Sequence, residues 1–298
     1  MAWTTAGVSG KLPGIEQNCD IEFANSPSSL PFFIAGSATM ADKQELFGIK
    51  IDNVDMQGAV SMVRSWIEEG SCGGPCRVIV TPNVDHTVLL EENEGLRDAY
   101  RNASLVLADG HPIVWASRLL GKALPERVPG SELVPRLFDS FDQQGELKVF
   151  LLGAAEGVGA KAAQNMARQW PNVKVVGVYS PPMGFEKKPE ESEIILEKVN
   201  EVQPDLIVLG LGAPKQEIWA NQYRERLDAT TILCVGATID FLAGEQHRAP
   251  EWIQNCGMEW FHRMCTNPKR LVKRYAKDAW VFPQLVVRQF FGWKNRAV

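Results

Sequence analysis

From Leu46 onward, short apolar runs rich in β-branched residues alternate with longer stretches whose apolar residues return every three or four positions. The first pattern is that of strands, the second that of amphipathic helices. The runs predict strands over 47–54, 77–81, 105–108, 147–152, 173–178, 205–210 and 231–235. The longer stretches predict helices over 56–69, 93–101, 112–120, 131–141, 157–169, 190–202 and 214–226. Such alternation implies βαβ units, hence an α/β fold with a mostly parallel sheet flanked by helices, Rossmann-like in kind. Val-Phe-Leu-Leu at 149–152 and Leu-Ile-Val-Leu at 206–209 show no polar alternation, which fits strands covered on both faces.

The alternation stops near Gly244. Residues 244–298 carry ten Lys and Arg against four Asp and Glu, a charge of +6, so with −5 overall residues 1–243 carry −11. Arg270, Lys273, Arg274 and Lys277 recur at helical spacing and predict one basic stripe. Leu271, Tyr275 and Trp280 interleave with it, and Val286, Phe290, Phe291 and Trp293 follow a break expected at Pro283. A basic, aromatic, amphipathic segment suits an anionic membrane surface. Nucleic acid is the weaker alternative for a chain acidic overall, and a solvated basic face over core aromatics is the plain one. Three parts are therefore expected: a leader rich in Ser, Gly, Pro and Asn (1–42), an α/β catalytic domain (43–243) and a basic helical C-terminal appendage that docks on the membrane (244–298). The apolar stretch 30–41 contains Pro31 and Gly36 and follows Glu16, Asp20 and Glu22, which is not the build of a signal peptide. No uncharged apolar run reaches the length of a membrane span. At 45% apolar and 22% charged residues the chain is globular in composition, and six scattered cysteines predict reduced thiols rather than a disulfide scaffold or a zinc site.

Ligands of open parallel sheets bind beyond the carboxyl ends of the strands, so the residues after each predicted strand are the candidates. After the second come Thr81 and Asn83, able to hydrogen-bond a ligand; equally, Asn83 or Asp85 could cap the next helix. After the third comes Asp109-Gly110, a general-base candidate or an ordinary Asp-Gly turn. Arg127 could clamp a phosphate or make a surface ion pair. The glycine-rich turn from Gly153 to Gly159 has the form of a phosphate cradle at a helix start, a form that also serves plain strand–helix packing. It is not G-x-G-x-x-G, and the next strand ends in Tyr179-Ser180 where a dinucleotide ribose wants an acid, so NAD is not expected. The richest stretch runs from Asp205 through Gly210, Gly212 and Pro214 into Lys215, Gln216 and Glu217. Pro214 is expected as the first helical residue. Backbone N–H groups and Lys215 there suit a diphosphate, and Gln216 and Glu217 a base or ribose, against the plain reading of a polar first turn. Asp240 after the last strand either faces the same crevice with Thr238 or is a cap. Neither Asp-x-Asp nor G-x-x-x-x-G-K-[ST] occurs, so no metal, no cofactor and no P-loop are expected.

Taken in order, Thr81-Pro-Asn83, Ala108-Asp-Gly110, Arg127-Val-Pro-Gly130, Phe150-Leu-Leu-Gly-Ala-Ala-Glu-Gly157, Gly210-Leu-Gly-Ala-Pro-Lys-Gln-Glu217, Val235-Gly-Ala-Thr-Ile-Asp-Phe-Leu-Ala-Gly244, Arg248-Ala-Pro250, Glu259-Trp260, Arg263 and Pro268-Lys-Arg270 resemble the WecG/TagA/CpsF family of bacterial glycosyltransferases. The resemblance covers about residues 45–290. His111 stands where a less bulky residue is expected after Ala-Asp-Gly. The resemblance implies an inverting, metal-independent transfer of a sugar from a UDP-sugar to a polyprenyl-diphosphate-linked sugar. The product would feed a surface polysaccharide or teichoic-acid-type polymer, and the enzyme would sit peripherally on the cytoplasmic face of the cell membrane. Asp109 aligns with the base, and Thr81 and Asn83 with residues lining its pocket. Arg127 aligns beside the donor phosphates, and Lys215, Gln216 and Glu217 fall on the nucleotide side with Gly212. The appendage arginines, Arg248, Arg263, Arg270 and Arg274, are implied to meet the acceptor's diphosphate.

Two other function classes stay open: a UDP-sugar hydrolase or other nucleotide-sugar enzyme without lipid acceptor, and a non-enzymatic membrane or nucleic-acid binding module. The second would leave Asp109 and the Gly210–Glu217 stretch without purpose. A homo-oligomer is compatible with the sequence, which does not choose the donor sugar or the oligomeric state.

Overall fold

The computed structural model describes residues 42–70, 73–246, 249–250, 253, 259–266 and 268–292, and of 262, 263, 266 and 268–270 only the backbone. The expected leader, save Asp42, lies outside the described residues, as do Cys19, Cys72 and Cys256.

The first elements correct an expectation. In place of one strand over 47–54, β1 (Lys43–Leu46) and β2 (Ile49–Asp52) form an antiparallel hairpin. Phe47 and Gly48 turn the chain with φ of 53° and 77°. Positive φ at both central residues is the two-residue hairpin geometry, and a phenylalanine in the first place hides it from a turn-residue reading.

Six strands form the main sheet: β3 (Arg77–Val80), β4 (Leu105–Val106), β5 (Leu147–Gly153), β6 (Val173–Tyr179), β7 (Leu206–Gly210) and β8 (Thr231–Cys234). They lie in the order β4-β3-β8-β7-β5-β6, and every neighbouring pair is parallel. The helices are α1 (Met56–Glu69), α2 (Val84–Leu90), α3 (Glu94–Asn102), α4 (His111–Leu119), α5 (Gly130–Gln143), α6 (Val158–Gln169), α7 (Pro189–Val202), α8 (Lys215–Tyr223), α9 (Thr238–Ala243), α10 (Glu259–Thr266) and α11 (Pro268–Phe290). The expected set lacks α2 and α9, whose seven and six residues are too few to display a helical period. Pro214 precedes α8 as its N-cap instead of opening it.

The unbroken apolar runs are explained by two cores. Ile207 and Leu209 of β7 point into one core with the hairpin, α3, α4 and α7, while Leu206 and Val208 point into the other with α1, α5 and α6. A strand alternates its faces, so a sheet buried on both sides requires apolar residues at every position.

In the C-terminal segment α11 runs straight through Pro283, which corrects the expected break. Phe282 and Leu285 on either side of it are buried in the first core, Phe282 against Phe47 with ring centroids 5.2 Å apart. Pro283 itself is exposed, so the backbone carbonyl that loses its partner can turn to water. Two of the four stripe residues, Arg274 and Lys277, and Arg288 beyond the stripe pair with the body. Arg274 forks onto Asp85 of α2, Lys277 lies 2.9 Å from Glu92, and Arg288 lies 2.8 Å from Glu91. α11 also turns large apolar side chains to solvent, Val272, Trp280, Val287 and Phe290, beside exposed Lys273, Lys277 and Gln284, with Phe291 just beyond and Trp260 and Phe261 on α10. Among the described residues, no helix is long and apolar enough to cross a membrane.

Candidate active site

The carboxyl edge of the sheet gathers the ends of all six strands. From β4 outward these are Asp109-Gly110, Thr81 to Asn83, Val235-Gly236, Gly210 to Gly212, Gly153-Ala154 and Ser180.

On the β3–β4 side, the backbone ties the candidates together. Asp109 N–H donates to Pro82 O at 2.8 Å, which lays Asp109 beside the Thr81–Asn83 turn. Val128 N–H donates to Ala108 O at 2.7 Å, which brings the Arg127 loop against the same strand end. Thr81 is buried, and its hydroxyl donates to Cys234 O at 3.3 Å across the β3–β8 seam. Asn83 caps α2, its side-chain oxygen accepting from His86 N–H at 3.3 Å. Asp85, the other residue considered as a cap, instead holds Arg274. Arg127 pairs with Glu132 at 2.7 Å, both largely covered. His111 opens α4 immediately after Gly110 and packs on Trp115 with ring centroids 5.7 Å apart. Burial first, and then the Arg127 guanidinium, lower its basicity, against the pull of Glu259 of α10 and Glu132.

On the β5–β7 side, Gly153 has a packing reason of its own. Its φ is +119°, and a Cβ there would stand 2.4 Å from Gly210 O. Ala154 N–H donates to that same carbonyl at 3.1 Å, and the Ser180 hydroxyl donates to Gly153 O at 3.2 Å. Lys215 meets Glu186 at 3.0 Å, in the 3-10 turn Phe185–Lys187 after β6. Asp240 lies half-buried in the first turn of α9, which leaves the end of β8 between the two sides.

Gln216 and Glu217 are not on a solvated first turn. They are 2% and 0% exposed and point into the fold. Gln216 Oε1 accepts from Gly212 N–H at 3.2 Å, and Gln216 Nε2 donates to Glu217 Oε1 at 2.7 Å. Around them stand residues that sequence reasoning missed. His86 Nδ1 is 2.6 Å from Tyr100 Oη and 4.0 Å from Glu217 Oε1. Burial, and next the Arg274 charge, push the His86 pKa down to about 3, so at neutral pH the imidazole is uncharged and its approach to Glu217 is no ion pair. Burial pushes Glu217 up to about 7 and raises Tyr100 and Cys234. No spacing in the sequence announces this group, because its members come from α2, α3, α8, β8 and α11.

The structure thus brings Thr81, Asn83, Asp109 and Arg127 together on one side of the edge and Gly153, Gly212, Lys215, Gln216 and Glu217 on the other. Arg274 lies behind the second group on Asp85. Arg248 falls outside the described residues, and Arg263 and Arg270 are described by backbone alone. The edge thus sets Asp109, the Thr81 hydroxyl and the Asn83 amide beside two cations, Arg127 and Lys215, that are each paired with a carboxylate, Glu132 and Glu186.

Comparison with known proteins identifies the family. The chain is 31% identical over 192 residues to an N-acetylglucosaminyldiphosphoundecaprenol N-acetyl-beta-D-mannosaminyltransferase of Bacillus spizizenii, covering 64% of this chain and 72% of the relative. It is 28% identical over 229 residues to the enzyme of the same name from Staphylococcus aureus, covering 77% and 87%. The pattern of the glycosyl transferase WecG/TagA/CpsF family matches residues 44–296. With the match spanning nearly all the described residues, the chain belongs to the WecG/TagA/CpsF family and is a glycosyltransferase.

Proposed function

We propose that this enzyme transfers a sugar, with inversion and without a metal, from a UDP-sugar to a polyprenyl-diphosphate-linked sugar, with Asp109 as the base. The observation that carries the reading is the juxtaposition of Asp109 with the Thr81–Asn83 turn, across one sheet edge from the Gly212–Glu217 turn. The names of the relatives favour N-acetylmannosamine as the donated sugar and N-acetylglucosaminyl-diphosphoundecaprenol as acceptor.

In a single displacement the acceptor hydroxyl oxygen attacks the anomeric carbon while Asp109 takes its proton, and the bond to UDP breaks. The leaving diphosphate gains negative charge. Lys215, Arg127 and backbone N–H groups at the start of α8 are the groups here that can stabilise it. Both cations now rest on carboxylates, Glu186 and Glu132, which a diphosphate would have to displace or share. Metal independence rests on the missing Asp-x-Asp and on these cations.

The acceptor's lipid places the reaction at a membrane. The exposed Trp280, Phe290 and Phe291 of the C-terminal segment, with Trp260 and Phe261, suit insertion at a bilayer surface and support a peripheral position there, on the cytoplasmic face in our reading. Arg274, Lys277 and Arg288 are paired internally, so the exposed aromatics are expected to carry part of the attraction.

The test is transfer from UDP-N-acetylmannosamine, its uronic acid and UDP-glucose to a lipid-diphosphate-N-acetylglucosamine acceptor with EDTA present. Wild-type transfer should survive EDTA, and Asp109→Asn should lower kcat by about 10²–10⁴. Undiminished transfer by Asp109→Asn removes it as the base, and release of free sugar without transfer replaces the reading with hydrolysis.

A further inference from the structure

The buried polar group behind the Gly212 turn has no part in the proposed displacement, and its chemistry is unusual. Glu217 is fully buried: Oε1 takes a hydrogen bond from Gln216, the residue's own backbone N–H also favours the carboxylate, and Oε2 has no partner. A carboxylate so placed would share its charge between two buried oxygens of which one has no partner, so burial favours the neutral acid. Gln216 is equally committed: its carboxamide can satisfy Gly212 N–H and Glu217 at once in only one of its two flips.

We propose that Glu217 is a positioning residue for nucleotide binding: it holds the Gln216 carboxamide in the flip that braces the Gly212 turn, and it does so as a neutral acid whose charge state is set jointly with the docked α11. The proposal rests on the nucleotide-side reading of the Gly212–Glu217 turn.

The link to α11 is direct. Facing Glu217 are Asp85 and His86 on α2, Tyr100 on α3, Cys234 on β8 and Arg274 on α11. Asp85 is buried and raises the Glu217 pKa, and Arg274 lowers it while forking onto Asp85. Asp278, one turn along α11, is itself buried and faces Asp85 and Arg274. Undocking α11 would strip Arg274 from Asp85, leave that carboxylate uncompensated beside Glu217, and hold the proton on Glu217 more tightly. Burial keeps the pKa near 7, so the proton is held in the lower half of the physiological range and released above it.

The test has a ligand-free arm and a binding arm. In the free protein, the amide signals of the Gln216 side chain and of Gly212 should move between pH 6 and 8.5 in wild type and stay still in Glu217→Gln, which keeps an acceptor for Gln216 but cannot titrate. In calorimetric titration with UDP, Glu217→Ala should weaken binding about tenfold. Glu217→Gln should restore it, and should lose less affinity than wild type from pH 6 to pH 8.5, where UDP's own titration is common to both. In transfer assays the Glu217→Ala defect should fall on the donor KM rather than on kcat. Signals that do not move in free wild type overturn the proposal whatever the activity. Unaltered UDP binding by a folded Glu217→Ala, or a failure of Glu217→Gln to restore it, also overturns it. If the signals move as expected but wild type binds no UDP, the nucleotide-side reading fails and the positioning role falls with it.

Discussion

Glu217 and His86 lie side by side and place opposite demands on pH. The native pKa of Glu217, about 7, lies above the ordinary carboxyl value, so its contribution to stability is full below about pH 4.5 and is lost as pH rises through 7. The native pKa of His86, about 3, lies below the ordinary imidazole value, so its contribution is full above about 6.5 and is lost as pH falls toward 3. The Glu217 penalty at high pH is on the order of 3 kcal/mol. Glu217→Gln should therefore raise the thermal midpoint relative to wild type at pH 8.5 and change it little at pH 4.5, as read by scanning calorimetry. An equal midpoint at both pH values would mean that the native carboxyl is not held neutral. A histidine and a glutamate so close in space are ordinary helix residues in the sequence, 131 positions apart, and no pattern of types could pair them.

Among the elements, the β5–α6 turn shows how one glycine-rich string can carry two meanings. Gly153 sits under the Gly210 carbonyl with φ of +119°, which no residue with a Cβ tolerates cheaply. Gly153→Ala should destabilise the fold by more than about 2 kcal/mol, seen as a lower urea midpoint. If it costs less than about 0.5 kcal/mol, the close approach of β5 to β7 is not what the glycine serves. From β3 to α7 the strand and helix bounds were legible to within a residue or two, because burial on two faces writes a dense local apolar signal, while α8 ends at Tyr223, three residues before the expected 226. The β1–β2 hairpin was not legible, since its turn uses Phe47 where a glycine or asparagine would have marked it. The continuity of α11 through Pro283 was not legible either, because the packing of Phe282 and Leu285 outweighs the local cost of the proline.

For the fold as one body, the seam between α11 and the hairpin and α2 is the feature with most consequence. It combines buried Phe282 and Leu285 with three ion pairs and with Gln289, whose Oε1 accepts from Phe47 N–H at 2.9 Å and whose Nε2 donates to Glu45 O at 2.9 Å. Phe282→Ala should cost about 3 kcal/mol or more and loosen α11, which hydrogen exchange of its amides would reveal. The outward face should behave differently. Changing Trp280, Phe290 and Phe291 together to serine should leave the thermal midpoint within a few degrees, because all three are exposed, while sedimentation with vesicles containing anionic lipid should fall several-fold. Retained vesicle binding would remove this face from the membrane reading.

The one-dimensional pattern determined the α/β class, the succession of strands and helices, and the set of strand-end residues from which a site could be built. These are local consequences of period and burial, readable within a window of a dozen residues. The resemblance supplied the family and the roles to be tested. Folding decided the orientation of Gln216 and Glu217, turned inward by the way α8 packs on the sheet. It also decided that Arg274 would spend its charge on Asp85, 189 residues away, and that α11 would bury Phe282 while turning Trp280 and Phe290 outward. Rotation of a helix about its axis and pairing of distant charges depend on which surfaces meet, and that information exists only once the chain has closed on itself.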